Sequence, residues 1–142
     1  MVKRVTPPEA AELLASGWTY LDVRSIPEFD GGHPAGAANV PLLHFEGGRM
    51  SPNADFQKVV AANFPPDAKL VVGCKVGGRS LQAAALLEAA GYTSVVDMRG
   101  GYAGERDGMG RVTCAGWLES KLPVETSAPP EKTYAGLSKR EP

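Results

Sequence analysis

The sequence predicts an α/β fold built on a mostly parallel sheet. Three observations carry that prediction. Short apolar runs rich in β-branched and aromatic residues recur along the chain. Helical patterns with recognisable caps lie between them. One run, "KLVVG" at 69–73, is nearly all apolar, as expected of a strand covered on both faces. Strands alternating with helices imply right-handed crossovers, with chemistry gathered outside the carboxyl ends of the strands.

Each element follows from local signals. In "TPPEAAELLASG", Thr6 is a candidate N-cap, Pro7 the first helical position, Glu9 the capping-box acid and Gly17 the stop. "WTYLDVR" (18–24) alternates and predicts a strand ending near Asp22. "SIPEF" predicts one helical turn before the glycine-dense "DGGHPAGA", and "ANVP" (38–41) a short buried strand. Residues 51–64 place Phe56, Val59, Val60 and Phe64 at helical spacing, stopped by Pro65 and Pro66. "SLQAAALLEAAG" (80–91) predicts a helix with Ser80 as N-cap and Gly91 as C-cap. "TSVVDM" (93–98) is the last strand expected. The glycine-rich segment beyond it is expected to be irregular, and "AGWLESKLP" to hold one short closing helix. From Thr126 three prolines, many charges and few large apolar residues predict a flexible tail, giving a domain over 1–125 and a tail over 126–142.

The chain has 142 residues, 43% of them hydrophobic, which suits one domain with a single core. With 15 basic and 16 acidic residues it has no net field to gather nucleic acid or an anionic membrane, and neither is expected as a partner. No apolar stretch is long enough for a membrane span, and Pro7 and Pro8 interrupt any signal-peptide core, so a cytoplasmic location is expected. Two cysteines, Cys74 and Cys114, and two histidines, His33 and His44, match no metal-ligand spacing; no metal or other cofactor is expected.

The chemistry concentrates in "GCKVGGRS" (73–80), between a strand end and a helix start. Gly77 and Gly78 permit positive φ, so successive amides from Lys75 onward, through Val76, can line a concave nest. The helix N-terminus adds partial positive charge, and Lys75 and Arg79 add two cations. Such surroundings favour a thiolate on Cys74 without a separate general base, and would stabilise an anionic adduct on its sulfur.

"LDVRSIPEF", "GGHPAGAANVP", "CKVGGRS" and "RGGY…GW…LPVE", in that order, resemble the successive signatures of the rhodanese-like sulfurtransferase domain over residues 4–125. The resemblance implies a rhodanese-like three-layer sandwich, with a five-stranded, mostly parallel sheet and helices on both faces. It implies a catalytic Cys74 that cycles between thiolate and persulfide, taking sulfane sulfur from a thiosulfate-like or persulfide donor. The sulfur then goes to a thiophilic acceptor such as cyanide, a thiol or a protein. Lys75, Val76, Gly77, Gly78, Arg79 and Ser80 match the loop that cradles the persulfide, with Arg79 expected to orient the loop and meet an anionic donor. Asp22, Arg24 and His33 match positions supporting the scaffold and rim; Glu28 and Phe29 also match, as a solvated acid and a core aromatic.

Two departures stand out. The family usually places a residue between the histidine and proline that adjoin here as His33 and Pro34. An insertion over 102–116 is expected on the active-site rim as a lid or docking surface, and its Cys114 is a candidate second thiol able to resolve a Cys74 persulfide. A persulfide carrier that docks on a protein is the alternative function. A cysteine phosphatase or arsenate reductase is a further one, with Asp107 available as general acid. Related phosphatases use Cys-x5-Arg, whereas only four residues separate Cys74 from Arg79, a ring suited to sulfur and tight for a tetrahedral oxyanion.

Overall fold

The computed structural model describes residues 2–140. Its centre is a five-stranded, wholly parallel sheet of β1 (Lys3–Val5), β2 (Thr19–Asp22), β4 (Ala38–Asn39), β7 (Lys69–Gly73) and β8 (Ser94–Met98), in the order β1-β8-β7-β2-β4. The helices are α1 (Pro7–Ala15), α2 (Ile26–Asp30), α3 (Phe56–Asn63), α4 (Gly78–Ala89) and α5 (Tyr134–Leu137). Three small antiparallel ribbons complete the fold: β3 (His33–Pro34) with β11 (Val124–Glu125), β5 (Leu43–Glu46) with β6 (Arg49–Pro52), and β9 (Glu105–Arg106) with β10 (Val112–Cys114).

Handedness fixes the layers. The α1 crossover runs from β1 towards β2, whereas α3 and α4 lead back in the opposite direction across the sheet. Right-handed crossovers of opposite travel lie on opposite faces. The two cores agree. Phe56, Val59, Val60, Ala83, Ala84 and Leu87 pack with Leu21, Leu70 and Val72 on one face; Ala10 packs with Tyr20, Val71 and Val96 on the other. Alternate residues of each strand thus enter alternate cores. Travel reverses between β2 and β7, and the crevice at their carboxyl ends is the switch point where ligands bind in such sheets.

The first helix has the expected caps: the Thr6 hydroxyl accepts from Glu9 N at 3.4 Å, and Thr6 N donates to Glu9 Oε1 at 2.8 Å. Four expectations are corrected. Residues 51–52 belong to a ribbon, because Gly47 and Gly48 take φ of 58° and 76° and turn β5 tightly into β6; α3 therefore starts at Phe56. Helix α4 starts at Gly78, since Gly77 adopts φ 113° and ends the loop early, leaving Ser80 inside the first turn. The segment after β8 folds into the β9–β10 ribbon. The closing helix expected near Trp117 is a turn only: Ser120 N donates to Gly116 O at 3.0 Å, but Lys121 takes a left-handed φ of 57° and ends it.

The tail also differs from expectation. Leu137 is 4% exposed within the larger core, Asn63 Nδ2 donates to its carbonyl at 2.9 Å, and Asn53 Nδ2 donates to the Tyr134 hydroxyl at 3.2 Å. Two apolar anchors three positions apart on one helical turn hold a segment that is polar on average. Residues 141–142 of the expected tail, and Met1, lie outside the described residues.

Candidate active site

Cys74 leaves β7 at the switch point and is 1% exposed. Gly77 N donates to its Sγ at 3.1 Å, and the Ser80 hydroxyl lies 3.3 Å from it. Among the described residues Gly77 N is the loop amide bonded to the sulfur. A side chain at Gly77 would be strained by its left-handed backbone and would bring a Cβ within 3.3 Å of Arg4 Nη2. One residue before the cysteine, the Tyr20 hydroxyl fills the space that a side chain at Gly73 would need. Burial, then Asp22, pushes that phenol well above its ordinary pKa, so it stays protonated beneath the loop.

The loop is clamped from outside by the turn after β8. Tyr102 N donates to Cys74 O at 2.7 Å and Ala103 N to Lys75 O at 2.9 Å. A Cβ on Gly101 would lie 2.5 Å from Lys75 O and 2.7 Å from Cys74 O, so glycine is what lets the two turns meet.

Arg79 does not face outward as a free anion receptor. Its Nη1 and Nη2 donate to Glu28 Oε1 and Oε2 at 2.7 and 3.0 Å, a bidentate pair that ties α4 to α2. Ser25 N and Oγ donate to the same carboxylate at 3.0 and 2.9 Å. Burial opposes the charge on Glu28, but Arg79 and Ser25 outweigh it and hold the pKa down to about 2. Glu28 is therefore a half-buried structural partner and not the solvated acid expected. Lys75 and Val76 are exposed, and among the described residues Lys75 makes no ion pair.

Asp22, Arg24 and His33 sit behind the loop. Arg24 Nη2 donates to Asp22 Oδ2 at 2.8 Å and to Gly32 O at 2.7 Å, and the guanidinium lies 4.3 Å from the Tyr102 ring centroid. Asp22 and Arg24 are 0% and 3% exposed, a buried pair that braces the β2 end against the clamp. His33 is 1% exposed, stacks on Phe29 at 3.7 Å and places Nδ1 2.8 Å from Phe29 O, so it holds scaffold and faces no reacting group. Next to it Gly36 takes φ 84°, and its N–H donates to Glu125 Oε1 at 2.9 Å, closing the shortened loop onto β11.

The insertion does reach the site's edge. Cys114, half-buried on β10, lies behind Gly100: a Cβ there would be 3.1 Å from its Sγ. The Gly100–Gly101 turn thus touches Cys114 Sγ on one side and the Cys74 carbonyl on the other. Asp107 is bound in the turn of the ribbon by Arg111 N at 3.0 Å, Met109 N at 2.9 Å and Arg111 Nε at 2.9 Å. Those bonds, the Arg111 amide first, lower its pKa, the reverse of what a general acid requires.

Tyr102 and Asp97 shape the site without standing out in the sequence, and Glu28 has a sequence signal for its bound state. Ser25-x-x-Glu28 is a capping-box pattern that marks Glu28 as a bound acid. For Asp97, whose partner Arg4 is 93 positions away, no local signal exists.

A buried thiol at a strand end, held by a glycine amide at a helix N-terminus in a Cys-x4-Arg loop, defines the class of the fold and site. The sequence profile of the rhodanese-like domain matches residues 6–105, and the chain belongs to that family. "Thiosulfate sulfurtransferase 16, chloroplastic" of Arabidopsis thaliana is 45% identical over 116 residues, 82% of this chain and 87% of the relative. The "Thiosulfate:glutathione sulfurtransferase" of Homo sapiens is 40% identical over 101 residues, 69% of this chain and 88% of that one. The chain spans only 57% of the length of two other plant relatives. The crystal structure of Rv0390 from M. tuberculosis matches with a TM-score of 0.74 at 24% identity, over 89% of this chain and 98% of that one, a likeness of fold.

Proposed function

We propose that the chain is a sulfurtransferase carrying sulfane sulfur on Cys74 between a thiosulfate-like or persulfide donor and a thiophilic acceptor. The observation that carries this reading is the Cys74 sulfur at 3.1 Å from the Gly77 amide, at the mouth of α4. The Cys74 thiolate attacks the outer sulfur of thiosulfate; the donor's S–S bond breaks and sulfite leaves with the electron pair. Cyanide or an acceptor thiolate then attacks the outer sulfur of the persulfide. The Cys74 S–S bond breaks, its electron pair returns to Sγ, and thiocyanate or a new persulfide departs. The Gly77 amide and Ser80 hydroxyl are positioned to stabilise charge on Cys74 Sγ when the sulfur leaves.

With Arg24 paired to Asp22 and Arg79 to Glu28, Lys75 is the loop cation left to meet an anionic donor. Asp107, held as a carboxylate in the ribbon turn, supports sulfur chemistry over phosphate cleavage. The intact mass of the protein after thiosulfate treatment tests the proposal. A gain of one sulfur atom that cyanide removes, absent in Cys74→Ser, is expected. No gain in the reduced wild-type protein refutes it.

A further inference from the structure

Arg4 stands directly opposite Asp97 in the pairing of β1 with β8. Val2 and Val95 pack with the core under α3 and α4, so Arg4 and Asp97, two residues on in each segment, emerge on that same face. Asp97 is fully buried there, and its Oδ2 accepts from Arg4 Nε at 2.8 Å. The carboxylate takes the Nε edge of the guanidinium and thereby fixes where the rest of the fork lies. It lies against the active-site loop: a side chain on Gly77 would meet Arg4 Nη2 at 3.3 Å and Gly100 N at 3.8 Å. Gly77 is buried, takes φ 113°, and is the residue whose N–H donates to Cys74 Sγ at 3.1 Å. From the helix side it is held weakly, since its carbonyl accepts from Ser80 Oγ at 3.3 Å and from Leu81 N at 3.4 Å, both long bonds.

We propose that Arg4 is a positioning residue for the sulfur chemistry: its guanidinium, hooked on Asp97, is the wall that keeps Gly77 in its left-handed turn with the N–H aimed at Cys74 Sγ. This rests on the reading of Cys74 as the sulfur carrier. When an acceptor takes the outer sulfur, the electron pair of the broken S–S bond returns to Sγ, and the Gly77 N–H must already point there. Glycine permits the turn, but with no side chain to pack it also leaves the backbone free to swing. Arg4 occupies the space into which it would swing, with Gly100 closing the other side. The arginine touches neither donor nor acceptor; it acts through Gly77 alone.

Arg4→Lys in the full chain separates the wall from the ion pair. Arginine gives one nitrogen to Asp97 and keeps another beside Gly77, whereas lysine has a single nitrogen and can do only the first. The Tm should stay within about 2 °C of the wild-type value. The kcat for transfer from thiosulfate to cyanide should nevertheless fall about ten-fold, with KM for thiosulfate changed less than about two-fold. The Gly77 amide resonance should move, and its hydrogen exchange should quicken by about ten-fold. An unmoved Gly77 resonance with wild-type kcat would show that Arg4 serves only to pair Asp97, and overturns the proposal. Should Arg4→Lys lose more stability than that, Arg4→Met combined with Asp97→Asn, which leaves no buried charge unpaired, takes its place under the same two readouts; wild-type values there overturn the proposal equally. If neither variant folds, the Arg4 Nε–H resonance of the wild-type protein decides: it should shift when thiosulfate loads Cys74, and no shift refutes the contact's role. Sulfur gain by mass on the same wild-type sample reports separately on the sulfur-carrier reading, which fails if no sulfur is gained.

Discussion

Glu28→Gln isolates the ion pair that anchors the first turn of α4. The carboxyl moves from an ordinary 4.5 to about 2, which at roughly 1.4 kcal/mol per unit corresponds to about 3 kcal/mol. Both side chains keep some solvent contact, 24% for Glu28 and 18% for Arg79, and screening reduces this to about 2 kcal/mol. The variant also leaves a half-buried guanidinium with no carboxylate. Because the folded carboxyl ionises at lower pH than an unfolded one, its stabilisation is complete above about pH 4.5. It disappears as pH falls towards 2. Thermal unfolding at pH 7 should show a Tm lower by roughly 6 °C in Glu28→Gln, and the gap should narrow steadily between pH 5 and pH 3. Equal Tm values at pH 7, or a gap that does not change with pH, would refute the reasoning. Sulfur transfer should fall with charged and uncharged donors alike, since the pair shapes the loop and does not bind donor.

Lys75→Ala should behave oppositely: an unchanged Tm, a KM for thiosulfate raised roughly five-fold, and unaltered use of an uncharged organic trisulfide. A matching loss with the uncharged donor would remove Lys75 from the donor site. Gly101→Ala forces a side chain onto Lys75 O and Cys74 O at a φ of 63°; a loss of about 2 kcal/mol or more in denaturant unfolding is expected, together with slower persulfide formation. Leu137→Ala distinguishes a docked tail from a loose one. Truncating a 4% exposed core side chain should cost about 2–4 kcal/mol, whereas a change under roughly 0.5 kcal/mol would return the segment to the loosely attached tail its composition suggests.

What was legible in the chain is what two local signals agree upon. The first helix has a cap, a proline and a stop within twelve residues, and the central strand β7 has an apolar run ending in glycine. Where one signal had two readings, the structure chose by contacts at a distance. Ser80 has the side chain of an N-cap, yet its hydroxyl is engaged by Cys74 and Gly77, and the left-handed turn at Gly77 begins the helix earlier. The tail's composition is that of a linker, but Tyr134 reaches Asn53 across 81 positions of sequence. Arg79 looked like an anion receptor because its partner lies 51 positions away, and Asp97 finds Arg4 across 93. Charge partners so separated leave no periodicity to read.

Those distant pairs also bear on what the site can distinguish. Arg24 meets Asp22, Arg79 meets Glu28 and Arg4 meets Asp97, each at 2.7–2.8 Å. Three cations near the sulfur are thus neutralised by carboxylates of the scaffold, and their fields fall off quickly beyond the loop. An incoming anion is left with the exposed Lys75, and the sulfur with one amide and one hydroxyl. On the proposed sulfur chemistry, such a site would hold an anionic sulfur on Cys74 by short-range donors, which are the same whichever donor supplied it. It would then discriminate weakly among donors through long-range charge. Choice of donor or acceptor then falls to surfaces around the loop, and the β9–β10 ribbon, braced by the Arg99–Glu105 pair and joined to the loop through the Gly100–Gly101 turn, is the nearest surface whose sequence departs from the family pattern. Replacing residues 105–114 by a short glycine-containing turn should therefore leave sulfur loading from thiosulfate intact while changing the relative rates with different acceptor thiols; equal proportional loss with every donor and acceptor would show the ribbon to be only a brace for the clamp.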